Sequence, residues 1–129
     1  MSDHPDTQFC KQAAVDFLRL GTAGRVDEAY QKYVDPQGKH HSPYFGAGFA
    51  ALKIGMIDNH DQFPNKQLTI KHVLGDGDFV AVHSHVVLSP GDQGIATLHL
   101  FRFHQNKIVE LWDFGQPVPA DSPNQDGIF

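Results

Sequence analysis

The sequence predicts an α+β domain: three helices in the first half, then a curved antiparallel sheet that wraps over them as a cone. Three observations predict it. Apolar residues recur at helical spacing as far as Gln62, and beyond Leu68 β-branched and aromatic residues dominate runs of strand length. The chain has 129 residues, 40% hydrophobic and 19% charged, which suits one globular domain, residues 1–129, with a single core.

The first helix rests on Phe9, Ala13, Phe17 and Leu20, flanked by Cys10, Ala14 and Leu18, which repeat on one face. Asp6 or Thr7 can cap it and Gly21 can end it. Val26, Ala29, Tyr30, Tyr33 and Val34 form a second, shorter helix. Asp35-Pro36-Gln37-Gly38 reads as a turn by composition. A third helix spans Gly48 to Gln62, apolar at Phe49, Leu52, Met56 and Ile57, and Pro64 closes it. Strands follow over Leu68–Leu74, Phe79–Leu88, Ile95–Phe103 and Lys107–Phe114, with Gly75-Asp76-Gly77-Asp78 turning the chain after the first. Helices followed by consecutive antiparallel strands pack on one sheet face. Residues 115–129, rich in Pro, Asp, Gln and Gly, read as a C-terminal tail.

Composition also excludes partners. A net charge of -5 without any basic run argues against nucleic acid, whose phosphates demand clustered Lys and Arg. Cys10 is a single cysteine, so neither an intramolecular disulfide nor a Cys-rich zinc site can form. The polar start, Met1 to Asp6, is not a secretory signal, and no apolar run approaches the ~18 residues of a membrane span. A cytoplasmic protein that engages no membrane is the expectation.

Chemistry concentrates in the last hairpin, around His99 and Asp113. A two-residue hairpin would put them on opposite faces of the sheet. A three-residue loop with Asn106 in the left-handed region pairs Phe103 with Lys107 and His99 with Leu111, which leaves Asp113 diagonal to His99 on one face. That register also places Thr97, Phe101, Phe103 and Val109 on this face. An apolar cavity raises a carboxylate's pKa and makes it a better base near neutral pH. A neighbouring imidazole can hydrogen-bond charge developing on a substrate oxygen. The pair therefore suits proton abstraction beside a carbonyl, with no metal or organic cofactor; the same spacing also serves a structural hydrogen bond.

The run His99-Leu100-Phe101-Arg102-Phe103, then Asn106-Lys107-Ile108-Val109-Glu110, then Trp112-Asp113, resembles the signature of SnoaL-like polyketide cyclases, of the nuclear-transport-factor-2-like (cystatin-like) superfamily. Weaker similarity extends to Tyr33-Val34, His41-Ser42-Pro43, Gly75 to Asp78, Val80 to His83, Gln116 and Asn124 to Phe129. The resemblance implies the helix-lined cone, with the family's pocket His at His99, its acid/base Asp at Asp113, and a pocket His at His83. The chain departs from the broader family's D-x-F-R and E-H-W-D patterns at His99 and Leu111, and Asn106 replaces the founding cyclases' turn Gly.

Other residues have two readings each. His83 and His85 share a strand face at a spacing that can bind metal or serve as hydrogen-bonded histidines; no metal site is expected. His41 is either a substrate contact or part of a loop capping a strand end. Tyr30, Tyr44, Phe45 and Phe49 either close the cone around a hydrophobic small-molecule ligand or belong to the core. Arg102 and Glu110 fall on the outer sheet face beside Leu98, Leu100, Ile108 and Trp112, and so apolar a face predicts a homodimer through it. The leading expectation is a cofactor-independent cyclase performing intramolecular aldol condensation. The alternatives are a non-catalytic small-molecule-binding or dimerisation domain, and a related isomerase or dehydratase.

Overall fold

The computed structural model describes residues 6–129, and the elements run α1 (Thr7–Thr22), α2 (Val26–Tyr33), β1 (Val34–His40), α3 (Phe49–Gln62), β2 (Gln67–Asp76), β3 (Phe79–Val87), β4 (Ile95–His104) and β5 (Lys107–Pro117). The five strands form one curved sheet in the order β1-β5-β4-β3-β2. The core lies between sheet and helices: Cys10, Ala13, Ala14 and Phe17 of α1 meet Val80, Val82, Phe101, Phe103 and Ile108. Burial of Cys10, with Asp78 and Asp6 nearby, pushes its thiol up to about 11, which suits packing and not nucleophilic attack.

Four local expectations are corrected. Gly21 does not end α1; it is buried inside the helix, which runs to Thr22, and the left-handed residue beyond it is Gly24, φ 84°. Asp6 sits at the N-cap without a side-chain cap bond, while the Thr7 hydroxyl donates to the Gly77 carbonyl at 2.9 Å and ties α1 to the β2–β3 turn. Asp35 to Gly38 is not a free turn but part of β1, which pairs in parallel with β5. Pro36 is tolerated there because β1 is an edge strand that need not donate on its open side. The tail also starts later than expected, since β5 continues to Pro117.

The last hairpin closes by a different route from the three-residue loop. Its loop is the two-residue Gln105-Asn106, with φ 50° and 65°, both left-handed, as a hairpin turn of mirror-image type requires. His104 pairs with Lys107 and Phe103 with Ile108, but Arg102 pairs with Glu110, so Val109 is an extra residue. This bulge reverses the parity of everything beyond it. His99 consequently faces Asp113 directly. Ile108, expected outside, is fully buried in the core. The same device recurs at Lys71 in β2, which sends Val73 into the core contacts and leaves Leu74 outside.

Candidate functional site

Val82, His99 and Asp113 form one cross-strand row on the helix-facing side of β3, β4 and β5. Partners directly opposite on neighbouring strands lie roughly 4.5–5.5 Å apart between Cα atoms. His99 and Asp113 line a cleft of about 510 Å³, together with Ile95, Thr97, Pro43 and Tyr44. The cleft opens where β1 leaves β5: the last bond there runs from the His41 amide to the Leu111 carbonyl, at 2.8 Å, and the loop from Ser42 onward diverges.

Both acid/base groups remain uncommitted. No hydrogen bond joins His99 to Asp113 among the described residues, and the His99 Nδ1 is buried without a partner. The Ser84 Oγ, one row further along, and the Ser42 Oγ in the loop beyond β1 are likewise buried and unpartnered. Buried polar atoms in folded proteins nearly always find partners, and of these three residues only His99 lines the cleft, so its vacancy marks a group available to a ligand. Beneath His99 the Phe101 ring stacks at 6.2 Å and fixes the imidazole plane.

Burial holds the His99 pKa below its ordinary value of 6.5, and the Asp113 charge opposes this without reversing it. The imidazole is therefore neutral at neutral pH. The unfolded chain takes up this proton at higher pH than the folded one, so the contribution to stability is complete above pH 6.5 and is lost as pH falls below it. Urea melts at about pH 7.5 and about pH 5.5 should show that loss, and His99→Gln should shrink it. An undiminished loss in the variant would remove His99 as its source.

The other expected site residues divide. Tyr44 joins the cleft at its rim, 84% exposed. Phe101 supports His99 from the core but does not line the cleft. Tyr30 and Phe49 are buried and line a different cavity, of about 640 Å³, with Val34 and Lys53. That cavity is larger, but its ionisable pair, Lys53–Asp27 at 2.7 Å, is already neutralised by mutual contact. Phe45 packs on α3 where Gly55 leaves room: a Cβ there would sit 2.3 Å from the ring.

His83 and His41 face away from His99. His83 follows Val82 and points to the outer face, where its Nδ1 and that of His72 share a hydrogen bond at 2.9 Å. His41 stacks on Trp112 at 5.1 Å, and its Nε2 donates to Glu110 at 2.6 Å. That bond, then Arg102 and Lys39, holds the Glu110 carboxyl below the usual range. Ser42 and Ser84, buried near the cleft without lining it, were not anticipated from the sequence; only Ser84 carried a signal, since alternation from Val82 turns it inward. The described residues contain no group of three or more metal-ligating side chains. None of their helices is long and apolar enough to cross a membrane.

A SnoaL-like domain model matches residues 14–111, ending before Asp113. No curated protein matches significantly. Among solved structures, a SnoaL-like protein of unknown function from Burkholderia thailandensis superposes with a TM-score of 0.70 at 17% identity, over 84% of this chain and 95% of that one. A candidate ketosteroid isomerase from Kribbella flavida gives 0.73 at 18%, over 94% and 87%. A candidate polyketide cyclase from Acidithiobacillus ferrooxidans gives 0.67 at 20%, over 90% and 92%. At these identities the likeness is one of fold.

Proposed function

The chain belongs to the SnoaL-like domain family, and from that premise we propose that it is a cofactor-independent enzyme of the polyketide cyclase type, acting on a hydrophobic substrate with at least two carbonyls. The observation that carries this reading is the direct pairing of His99 and Asp113 at the cleft floor. Asp113 removes a proton from the carbon beside one carbonyl. The neutral His99 donates a hydrogen bond to the enolate oxygen that forms. The enolate carbon then attacks the second carbonyl within the same molecule: one C–C bond forms, and the proton held by Asp113 goes to the resulting alkoxide.

The names of the Acidithiobacillus and Kribbella neighbours support a cyclase and an isomerase respectively, and both chemistries begin with this proton transfer. A panel of hydrophobic 1,3-dicarbonyl compounds that carry a further, more distant carbonyl, incubated in heavy water, tests it: protein-dependent deuterium uptake at the carbon between the paired carbonyls is expected, and attack of that carbon on the distant carbonyl separates ring closure from isomerisation in the product. Saturable binding of the panel without uptake would leave a non-catalytic container.

We further propose that two copies associate through the outer sheet face, which exposes Leu74, Phe79, Leu98 and Phe114. Light scattering at micromolar concentration should give twice the chain mass, and Leu98→Lys should return the monomer. A monomeric native protein would overturn this.

A further inference from the structure

Five of the ten Lys and Arg residues of this acidic chain sit in ion pairs: Arg25 with Glu28, Lys32 with Asp16, Lys53 with Asp27, and Arg102 and Lys39 with Glu110. Arg19 and Lys66 are among the other five, and neither has an ion-pair partner among the described residues. They meet in one cleft of about 540 Å³, between the ends of α1 and α3 and the start of β2, with His60, Thr22 and Thr69. This cleft shares no lining residue with the one at His99 and Asp113.

Cations near helix C-termini also complement the helix dipole, which accounts for Arg19 and His60 individually. It does not account for Lys66, which lies beyond α3, is half-buried, and donates only to the neutral side-chain oxygen of Asn59. A cation withdrawn from water without a counter-charge is destabilising, and burial lowers the Lys66 pKa accordingly. A second vacancy lies beside it. The His60 Nδ1 is buried with no partner, and the ring is held by close packing on Gly24, where a Cβ would come within 2.3 Å of Nε2.

We propose that this cleft binds the phosphate group of a small phosphorylated molecule. The guanidinium fork, the ammonium, the imidazole and the Thr69 hydroxyl offer more donors than the two oxygens of a carboxylate can use, the Thr22 hydroxyl being committed to the Leu18 carbonyl at 2.9 Å, whereas a phosphate monoester presents three terminal oxygens and up to two charges. The volume exceeds what phosphate alone fills, and Pro64 and Leu68 provide apolar wall for the rest of the molecule.

The test is titration of the full chain at constant ionic strength with inorganic phosphate, phenyl phosphate and acetate, followed by calorimetry and by amide shifts at Thr22, Lys66 and Thr69. Saturable binding at roughly millimolar concentration is expected for phosphate, tighter for the ester, and weakest for acetate. Arg19→Gln and Lys66→Gln should each raise the dissociation constant about tenfold. Arg19 is exposed, so its variant will fold even if removing Lys66 disturbs the turn. Asp113→Asn should bind phosphate as the parent does. Absence of saturation, equal binding of acetate, no gain from the ester, or unchanged affinity in Arg19→Gln would each overturn the proposal.

Discussion

Asp113→Asn is expected to slow deuterium uptake and turnover by about 10²–10⁴, the range that general acid/base groups contribute, while leaving ligand affinity and stability near those of the parent. The amide keeps the carboxylate's shape and loses only its ability to take a proton. Among the described residues the Asp113 side chain makes no hydrogen bond that the change would break, and it is only half-buried. A rate loss without a stability loss therefore reports chemistry and not folding. Progress curves beside urea melts on the same preparations would check it, and a rate unchanged by the substitution would sink the catalytic assignment.

Phe101→Ala is expected to cost about 3–5 kcal/mol of stability, as full truncation of a buried aromatic does, and to lower the melting temperature by roughly 10–20 °C. Phe101 is 0% exposed and packs edge-on to Phe17 of α1 at 6.0 Å, beside Phe103 at 6.3 Å and His99 at 6.2 Å. It is the contact through which the first helix, the sheet and the site share one core. The void left behind cannot be filled by Val80 or Val82 without moving β3, so little relaxation is available. Thermal melts followed by circular dichroism would measure the loss. A cost under about 1 kcal/mol would contradict the packing described for this wall. The imidazole plane should also loosen, so turnover should fall even at temperatures where the variant stays folded.

How much of this could be read in advance depended on how local each signal was. The helices follow from the period of Cys10 to Leu20 and of Phe49 to Ile57, because one buried stripe suffices to specify them, although Phe9, expected on that stripe, is 44% exposed. Asp35 to Gly38 carried turn composition, yet it lies in a strand, because its partner is β5, some seventy residues on. Local composition contains no term for such a contact. The bulge at Val109 was illegible for a related reason: it is accommodated by β1, whose Gly38 lies so close to the Val109 carbonyl that a Cβ would sit 2.5 Å from that oxygen. His99 and Asp113 did fall on one face, as read from the hairpin, but through a different loop and a compensating extra residue. For His83 the family pattern outweighed a local signal that was present: alternation from the buried Val80 and Val82 already turns it outward.

One consequence of the extra residue at Val109 concerns insertions and deletions. Deleting a single amino acid at the bulge would leave a regular two-residue hairpin with Asp113 still facing His99, whereas deleting one between Glu110 and Asp113 would spare both side chains yet carry the carboxylate to the far side of the sheet. Relatives with the same His and Asp but a different number of residues between them therefore need not share a reaction. The place at which a residue is gained or lost in this hairpin matters to the proposed chemistry as much as the two letters themselves.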